Sequence, residues 1–239
     1  MKTIGLLGGT GWESTVEYYK IINKAVSEAT GYKHSAKIIL YSIDFYEISS
    51  RLTKQDYNGM ENFLTEIAKK IENDGADCLL ICANTLHMFA EQITTKIAIP
   101  LIHIADATAV CIKEKKMKKI GLLGTKPTME MPFYKMRLNE RHGIDVIVPT
   151  ETERDYIHKT FLEEFFRGKY TDEARNNFLN IMDKLSAQGA EGIILGCTEI
   201  PLLVKQKDTP IPLFDTLEIH ARAAVDFVLA SEKTTNEIN

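Results

Sequence analysis

Apolar residues in this chain alternate between short continuous runs and longer stretches with helical spacing. The run from Thr3 to Leu7 ends in the segment Gly8-Gly9-Thr10-Gly11. Apolar side chains then recur at helical spacing from Glu13 to Glu28. This order predicts a strand, a glycine turn and a helix.

The same alternation continues through the first half of the chain. Further predicted strands are Ala36–Ile43, Cys78–Cys82 and Pro100–Ile104, and further predicted helices are Gly59–Asn73, a segment after Thr85, and Asp106–Lys115. Strands rich in Ile and Leu that are separated by helices are typical of parallel sheets with helices on both faces. The pattern therefore predicts an α/β fold.

Three landmarks recur in the second half in the same order. Thr3–Gly9 returns 116 residues later as Lys119–Thr125, Gly75–Asn84 returns 114 residues later as Gly189–Thr198, and Ile99–Ile102 returns 112 residues later as Ile211–Phe214. Nearly constant separations predict two copies of one α/β unit. We expect an N-terminal domain of residues 1–101 plus 213–239 and a second domain of residues 102–212. Ligands of parallel sheets bind beyond the carboxyl ends of the strands, so we expect the active site in the cleft between the two domains.

Small and hydroxyl-bearing residues gather at the predicted strand ends. They are Thr10 in the glycine turn, Asn84 and Thr85 after the third strand, Thr125, and Thr198. Backbone N–H groups, hydroxyls and amides of this kind suit a substrate carboxylate. Cys197 lies among them, and a thiol at a helix N-terminus gains thiolate character, which makes it a usable base or nucleophile.

Composition narrows the class of protein. The chain has 239 residues, with 33 acidic and 29 basic side chains and a net charge of -4. We expect no nucleic-acid partner because no basic cluster is present, and no membrane association because the apolar runs are far shorter than a bilayer span. The N-terminus lacks the features of a secretory signal, so we predict a cytoplasmic protein, in which the four cysteines are packing residues or nucleophiles.

Two other site types are weakly supported. His103 with Asp106, and Asp215 with His220, lack compact ligand spacing, so we predict no metal site. A dinucleotide fingerprint is disfavoured because Ser14 stands where its third glycine is required.

Several segments together resemble one family. Ala83-Asn84-Thr85-Leu86-His87 and Gly196-Cys197-Thr198-Glu199 resemble the two signature segments of the aspartate/glutamate racemase superfamily. Similarity to its branch of bacterial aspartate and glutamate racemases extends over most of the chain, through Gly8–Thr15, Ser42–Phe45, His103–Thr108 and Phe214–Thr216.

The resemblance implies two pseudo-symmetric α/β domains, a small acidic amino acid as substrate, no cofactor, no metal and a homodimer. In the family mechanism, two cysteines face each other across the substrate Cα, one removing a proton as thiolate and the other returning one to the opposite face. Basic residues recognise the side-chain carboxylate in this family, and Arg51 is our candidate for that role.

This sequence departs from the family at one of the two cysteines. Ala83 stands directly before Asn84-Thr85, where the family has its first cysteine, and Cys82 lies one residue too early. Because side chains alternate along a strand, Cys82 should point away from the site unless a bulge intervenes.

The leading prediction is cofactor-independent racemisation of aspartate or glutamate, with Cys197 as the thiol acid/base. Two alternatives stay open. One is a one-cysteine isomerase or decarboxylase of a small dicarboxylate on the same fold, and the other is a non-catalytic protein that binds an amino acid or a nucleotide.

Overall fold

The chain divides into two compact units in the computed structural model, which describes residues 1–236 without the side chains of residues 166 and 231–236. The first unit contains Met1–His103 together with the chain from His220 onwards, and the second contains Ile104–Ile219. In the described part of the chain, no helix combines the length and the apolarity needed to cross a bilayer.

The first unit is built on a three-stranded parallel sheet. Its strands are β1 (Thr3–Gly8), β2 (Lys37–Ser42) and β3 (Cys78–Ile81), in the order β2-β1-β3. Its helices are α1 (Trp12–Thr30), α2 (Phe45–Thr53), α3 (Tyr57–Asn73) and α4 (Ala90–Thr94), with a 3-10 helix at Thr85–Phe89 before α4. The long helix α11 (Thr216–Asn236) belongs to this unit from His220 onwards.

The core of the first unit follows from the alternation along β3. Leu79 and Ile81 pack with Leu7 against the apolar stripe of α3, which includes Leu64 and Ile67. Side chains on the intervening positions of β3 point to the opposite face of the sheet. α1 buries its own apolar stripe through Tyr18, Ile22 and Val26.

The second unit repeats this plan with four parallel strands. Its strands are β4 (Lys119–Gly124), β5 (Asp145–Ile147), β6 (Ile193–Gly196) and β7 (Leu213–Asp215), in the order β5-β4-β6-β7. Its helices are α5 (Ile104–Glu114), α6 (Lys126–Glu130), α7 (Pro132–His142), α8 (Glu151–Glu163), α9 (Asp172–Ala187) and α10 (Ile200–Leu203), with 3-10 helices at Phe165–Arg167 and Gln206–Asp208.

Helices cover both faces of the second sheet. Ile193 and Leu195 pack against Phe178 and Met182 of α9. On the other face, Ile194 packs against side chains of α5 and α7. The predicted α/β class, with two parallel sheets flanked by helices, is therefore confirmed.

The repeat found in the sequence is also a repeat of strand register. In the first unit, Gly5 lies opposite Leu79 and Leu7 opposite Ile81. In the second unit, the corresponding pairs are Gly121 with Ile193 and Leu123 with Leu195. An isolated bridge between Leu79 and Leu101 corresponds to the pairing of Ile193 with Leu213.

Two predicted boundaries differ from the structure. The predicted strand Pro100–Ile104 is reduced to the single bridge at Leu101, because Pro100 has no N–H to donate and α5 already begins at Ile104. The strand β7 pairs with β6 and so lies in the second unit, whereas the sequence assigned residues 213–239 to the first domain.

Candidate active site

The glycine turn and the segment after β3 meet at one end of the first sheet. The Thr10 hydroxyl donates to the carbonyl oxygen of Cys82 at 3.4 Å, and the Gly9 N–H donates to the Thr15 hydroxyl at 2.9 Å. Gly9 has φ +80, and a Cβ built there would lie 2.1 Å from the Ile43 carbonyl oxygen. Only glycine fits this turn, and the turn places Thr10 beside the end of β3.

Ala83 and Cys82 follow the end of β3. Ala83 packs against the core cluster that contains Leu79 and Ile81, and the alternation of side chains along a strand favours the other face of the sheet for Cys82. The Cys82 N–H donates to the Leu7 carbonyl at 2.9 Å in continuous register, so no bulge turns its thiol toward Ala83. Cys82 is fully buried, and burial raises the pKa of its thiol. The burial and the raised pKa of Cys82 favour a packing role for this thiol.

The residues that follow Ala83 turn immediately into a short helix. Asn84 is buried, and Thr85 is half-buried and begins the 3-10 helix. His87 is buried, and its Nδ1 lies 2.8 Å from the Ala83 carbonyl oxygen. Because a carbonyl only accepts, Nδ1–H of His87 donates. This bond connects the 3-10 helix to the residue Ala83 that follows β3.

His87 belongs to a buried aromatic group within the first unit. Its ring lies 4.7 Å from that of His103 and 5.4 Å from that of His220, centroid to centroid. His220 Nδ1 contacts the Tyr18 hydroxyl at 2.7 Å, and its Nε2 contacts the Ile102 carbonyl at 2.7 Å. In the part of the chain that the structure describes, no three His, Cys, Asp or Glu side chains form a group that could hold a metal ion.

The equivalent strand ends of the second unit carry Thr125 and Cys197. Gly124 pairs with Gly196 at the ends of β4 and β6, which brings the next residues, Thr125 and Cys197, to the same edge. The Thr125 hydroxyl lies 3.0 Å from the hydroxyl of Thr128 and caps α6.

Cys197 occupies in the second unit the position that Ala83 occupies in the first. It continues the face of Ile193 and Leu195, as Ala83 continues that of Leu79 and Ile81. Its side chain is nearly buried, with 7% of its surface exposed.

A carboxylate lies beside this thiol. Sγ of Cys197 donates to Oε2 of Glu199 at 2.9 Å, and the Thr198 hydroxyl donates to the same oxygen at 2.9 Å. Burial is the main cause that raises the pKa of Cys197 well above its ordinary value, and the negative charge and hydrogen bond of Glu199 add to it. Backbone N–H groups of Glu199 and Thr198 act in the opposite direction.

The resting form of Cys197 therefore differs from the sequence-based expectation. A helix N-terminus was expected to favour the thiolate, but α10 spans four residues, and burial and Glu199 outweigh its contribution. Cys197 therefore rests as the thiol, and its Sγ donates to Glu199.

Arg51 and Glu199 make contacts that the sequence analysis did not predict. Arg51 lies on α2, where its guanidinium donates to the Glu47 carbonyl at 2.6 Å and covers the Phe63 ring at 4.2 Å. Its described contacts are thus with α2 and α3. Glu199 received no role from the sequence, although its position two residues after Cys197 was the available signal.

The sequence of this chain is similar to those of known proteins. The sequence model of the Asp/Glu/hydantoin racemase family matches residues 7–224. The chain belongs to this family. Among curated proteins, it is similar to the broad-specificity amino-acid racemase RacX of Bacillus subtilis strain 168, with 26% identity over 95% of this chain and 98% of that protein.

Solved structures of related proteins share the fold. A candidate Asp/Glu racemase from Yersinia pestis matches with a TM-score of 0.91 and 47% identity, over 96% of this chain and 100% of that chain. An aspartate racemase homologue from Pyrococcus horikoshii OT3 matches with a TM-score of 0.83 and 34% identity, over 95% and 99%. The resemblance noted in the sequence is therefore confirmed at the level of the family.

Proposed function

We propose that this racemase-family protein racemises an acidic amino acid, aspartate or glutamate, by removing and returning the Cα proton, with Cys197 as the thiol acid/base. The observation that carries the proposal is the position of Cys197 at the end of β6, in contact with the carboxylate of Glu199. The names of RacX and of the Asp/Glu racemase neighbours support racemisation of amino acids. Proton transfer at a thiol involves no cofactor in this scheme.

The hydroxyl and amide groups at the strand ends bind the substrate in this proposal. Thr10, Asn84 and Thr85 supply them in the first unit, and Thr125 and Thr198 supply them in the second. Each can donate to a carboxylate oxygen. Arg51 is proposed to recognise the side-chain carboxylate, because a guanidinium pairs with carboxylates through two parallel hydrogen bonds.

A second candidate function is favoured by the side chain at position 83. Ala83 carries no acid or base, and the alternation of side chains along a strand favours the other face for Cys82. A reaction that needs a proton on one face only, such as a one-cysteine isomerisation or decarboxylation of a small dicarboxylate, would proceed with Cys197 alone.

Proton NMR in deuterium oxide tests these proposals. L-aspartate and L-glutamate are incubated separately with the protein, with Cys197→Ala and with the matched control Cys111→Ala, and the products are separated by chiral chromatography. Racemisation requires loss of the Cα proton signal together with formation of the D-enantiomer, both abolished in Cys197→Ala and retained in Cys111→Ala.

The other outcomes separate the alternatives. Exchange with full retention of the L-form means that Cys197 works from one face. Protection against heat without exchange indicates a binding protein. Exchange that survives in Cys197→Ala contradicts the proposed role of this thiol.

We also propose that the protein acts in the cytoplasm as a homodimer. Apolar side chains of α1 are exposed at Trp12, Val16 and Tyr19, and Leu40 is exposed on β2 at the edge of the sheet. An exposed apolar face of this kind suits a second copy. Size-exclusion chromatography with light scattering contradicts this assignment if the mass is that of one chain.

A further inference from the structure

His87 restrains the backbone at the point where β3 ends. Its Nδ1–H donates to the Ala83 carbonyl at 2.8 Å, and its backbone N–H donates to the Asn84 carbonyl at 3.1 Å. Its own carbonyl accepts the N–H of Ala90. These bonds enclose Asn84 and Thr85, whose side chains are proposed to bind the substrate carboxylate. A backbone rotation at either residue would therefore lengthen a bond made by His87.

The second unit restrains the equivalent turn in a different way. The offset of 114 residues that aligns Ala83 with Cys197 also aligns His87 with Pro201. There, the Cys197 carbonyl accepts the Ile200 N–H at 3.2 Å, and the proline ring fixes φ in the first turn of α10. Proline thus supplies as a covalent restraint what His87 supplies as a side-chain hydrogen bond. Both units restrain the backbone just after the strand end that carries position 83 or 197.

Two other histidines fix the orientation of the His87 ring. The ring planes of His103 and His220 are inclined to it by 62° and 68°, in edge contacts with centroid distances of 4.7 and 5.4 Å. His103 is the last residue before the chain enters the second unit, and His220 is the first residue after it returns. Only 2% of His87 is exposed. A ring flip, which would turn a carbon toward the Ala83 carbonyl, is therefore opposed on two sides.

We propose that His87 is a positioning residue for substrate binding, which holds Asn84 and Thr85 in place through the Ala83 carbonyl. The inference rests on the proposed function, in which these two side chains are ligands of the substrate carboxylate. A carboxylate that accepts from two groups needs both of them at hydrogen-bond distance. A displaced strand end weakens such binding equally in the ground state and in the transition state. His87 acts through the backbone and moves no proton in the reaction.

Two substitutions at position 87 separate the hydrogen bond from the ring. His87→Phe keeps an aromatic ring against His103 and His220 but removes the donor. His87→Asn removes the ring but keeps an N–H donor at nearly the same distance from the backbone. In His87→Phe, we expect KM for L-aspartate and L-glutamate in Cα exchange to rise about 10-fold, with kcat within about threefold of the natural value. His87→Asn should recover most of the loss.

Tyr18→Phe is the matched control, because it disturbs the same group of rings without touching the Ala83 carbonyl. It removes the hydroxyl that lies 2.7 Å from Nδ1 of His220. This variant should lower the urea midpoint of unfolding and leave KM unchanged. An equal rise of KM in Tyr18→Phe and His87→Phe would assign the effect to lost stability and overturn the inference.

Amide hydrogen exchange gives a second readout that needs no substrate. Mass spectrometry of peptides compares the segment 83–90 with α9 of the second unit, which serves as the internal reference. In His87→Phe, the amides of segment 83–90 should exchange about tenfold faster than in the natural protein, because one bond that opposes local opening is gone. Exchange in α9 should be unchanged, and His87→Asn should restore protection to segment 83–90.

These measurements separate failure of the inference from failure of the proposed function. Cα exchange that is lost in Cys197→Ala but keeps its KM in His87→Phe overturns the role of His87 alone. A raised KM without faster amide exchange also overturns it, because the ring would then act directly on the substrate. A higher KM in His87→Asn than in His87→Phe overturns the hydrogen bond in favour of ring packing. Faster amide exchange in His87→Phe, with no Cα exchange by the natural protein, supports the restraint and contradicts the proposed substrates.

Discussion

Ala83 and Cys197 occupy equivalent positions in the two units, but only Cys197 can move a proton. Both follow the buried strand that pairs with the first strand of their unit, and both pack against the core cluster on one face of that sheet. In the proposed reaction, the difference between a methyl group and a thiol at this point decides whether thiols can exchange a proton on one face of the substrate Cα or on both.

Ala83→Cys should restore a second thiol at the strand end of the first unit. We expect formation of the D-enantiomer from the L-amino acid to increase by about 10²-fold, since a general acid typically contributes at least this much. Chiral chromatography of timed samples measures the change.

Ala83→Ser is the matched control, because it adds a group of similar size that is not acidic near neutral pH. It should leave the ratio of exchange to inversion close to that of the natural protein. An equal gain in Ala83→Ser and Ala83→Cys would mean that a hydroxyl-bound water, and not a thiol, is what position 83 lacks.

At the scale of residues, the sequence predicts properties that depend on strand periodicity. It does not predict properties that depend on one side-chain contact. Alternation along β3 predicts that Cys82 points away from Ala83, and the register of β1 and β3 continues without a bulge as far as Ile81. The raised pKa of Cys197 was not predicted, because it depends on its burial and on the 2.9 Å contact with Glu199. No spacing rule describes the rotamer that makes this contact.

At the scale of elements, His220 joins three segments of the first unit. Its Nε2 donates to the Ile102 carbonyl, so its Nδ1 carries no hydrogen and accepts from the Tyr18 hydroxyl of α1. The ring is fully buried, and burial lowers its pKa to about 4. Protonation would turn the acceptor at Nδ1 into a donor and would place a positive charge in a fully buried site between α11 and α1.

This lowered pKa predicts acid sensitivity with a defined sign. In the unfolded chain, His220 takes up a proton near its ordinary value of 6.5, whereas in the folded protein it stays neutral down to about 4. Its contribution to stability is therefore complete above pH 6.5 and is lost as the pH falls toward 4, by about 3 kcal/mol in total. Urea unfolding followed by circular dichroism between these pH values measures the loss.

His220→Gln provides the comparison, because an amide can donate to Ile102 and accept from Tyr18 without titrating. The variant should lose less stability over the same pH range than the natural protein does. His34→Gln changes an exposed histidine and should keep the full loss. Identical pH dependence in His220→Gln and the natural protein would assign the acid sensitivity to other groups.

Elements were predicted best where the apolar pattern is long or continuous. The predicted Thr3–Leu7, Cys78–Cys82 and Gly59–Asn73 differ from β1, β3 and α3 by one or two residues at an end. Pro100–Ile104 was wrong as a strand, because hydrophobicity alone does not distinguish one bridge from a ladder. Short helices such as α10 depend on local turns that periodicity does not describe.

At the scale of the whole molecule, the two units differ in how the chain builds them. The second unit is continuous, from Ile104 to Ile219, and contains both helical layers of its sheet. The first unit needs residues from both sides of that segment, since Tyr18 contacts His220.

A fragment of residues 104–219 should therefore fold without the rest of the chain. We expect cooperative urea unfolding with a free energy of about 5 kcal/mol, at the lower end for single domains. A fragment of residues 1–103, which lacks α11, should unfold at a lower urea concentration or without cooperativity. A non-cooperative 104–219 fragment would contradict the independence of the second unit.

The repeat made the two-unit plan predictable from the sequence, but its exact boundaries were not. Offsets of 116, 114 and 112 residues correspond to the matching registers of the two sheets. The position of β7 depended on a pairing with β6, and such long-range pairing leaves no mark on local hydrophobicity.

The interrupted course of the first unit also sets an order of events on the ribosome. N-terminal domains commonly fold first during synthesis. Here residues Met1–His103 are synthesised first, but His220 and the rest of α11 follow only after the whole segment from Ile104 to Ile219. The first unit therefore cannot complete its fold before the second unit has been synthesised, and Tyr18 remains without its histidine until translation has passed residue 220.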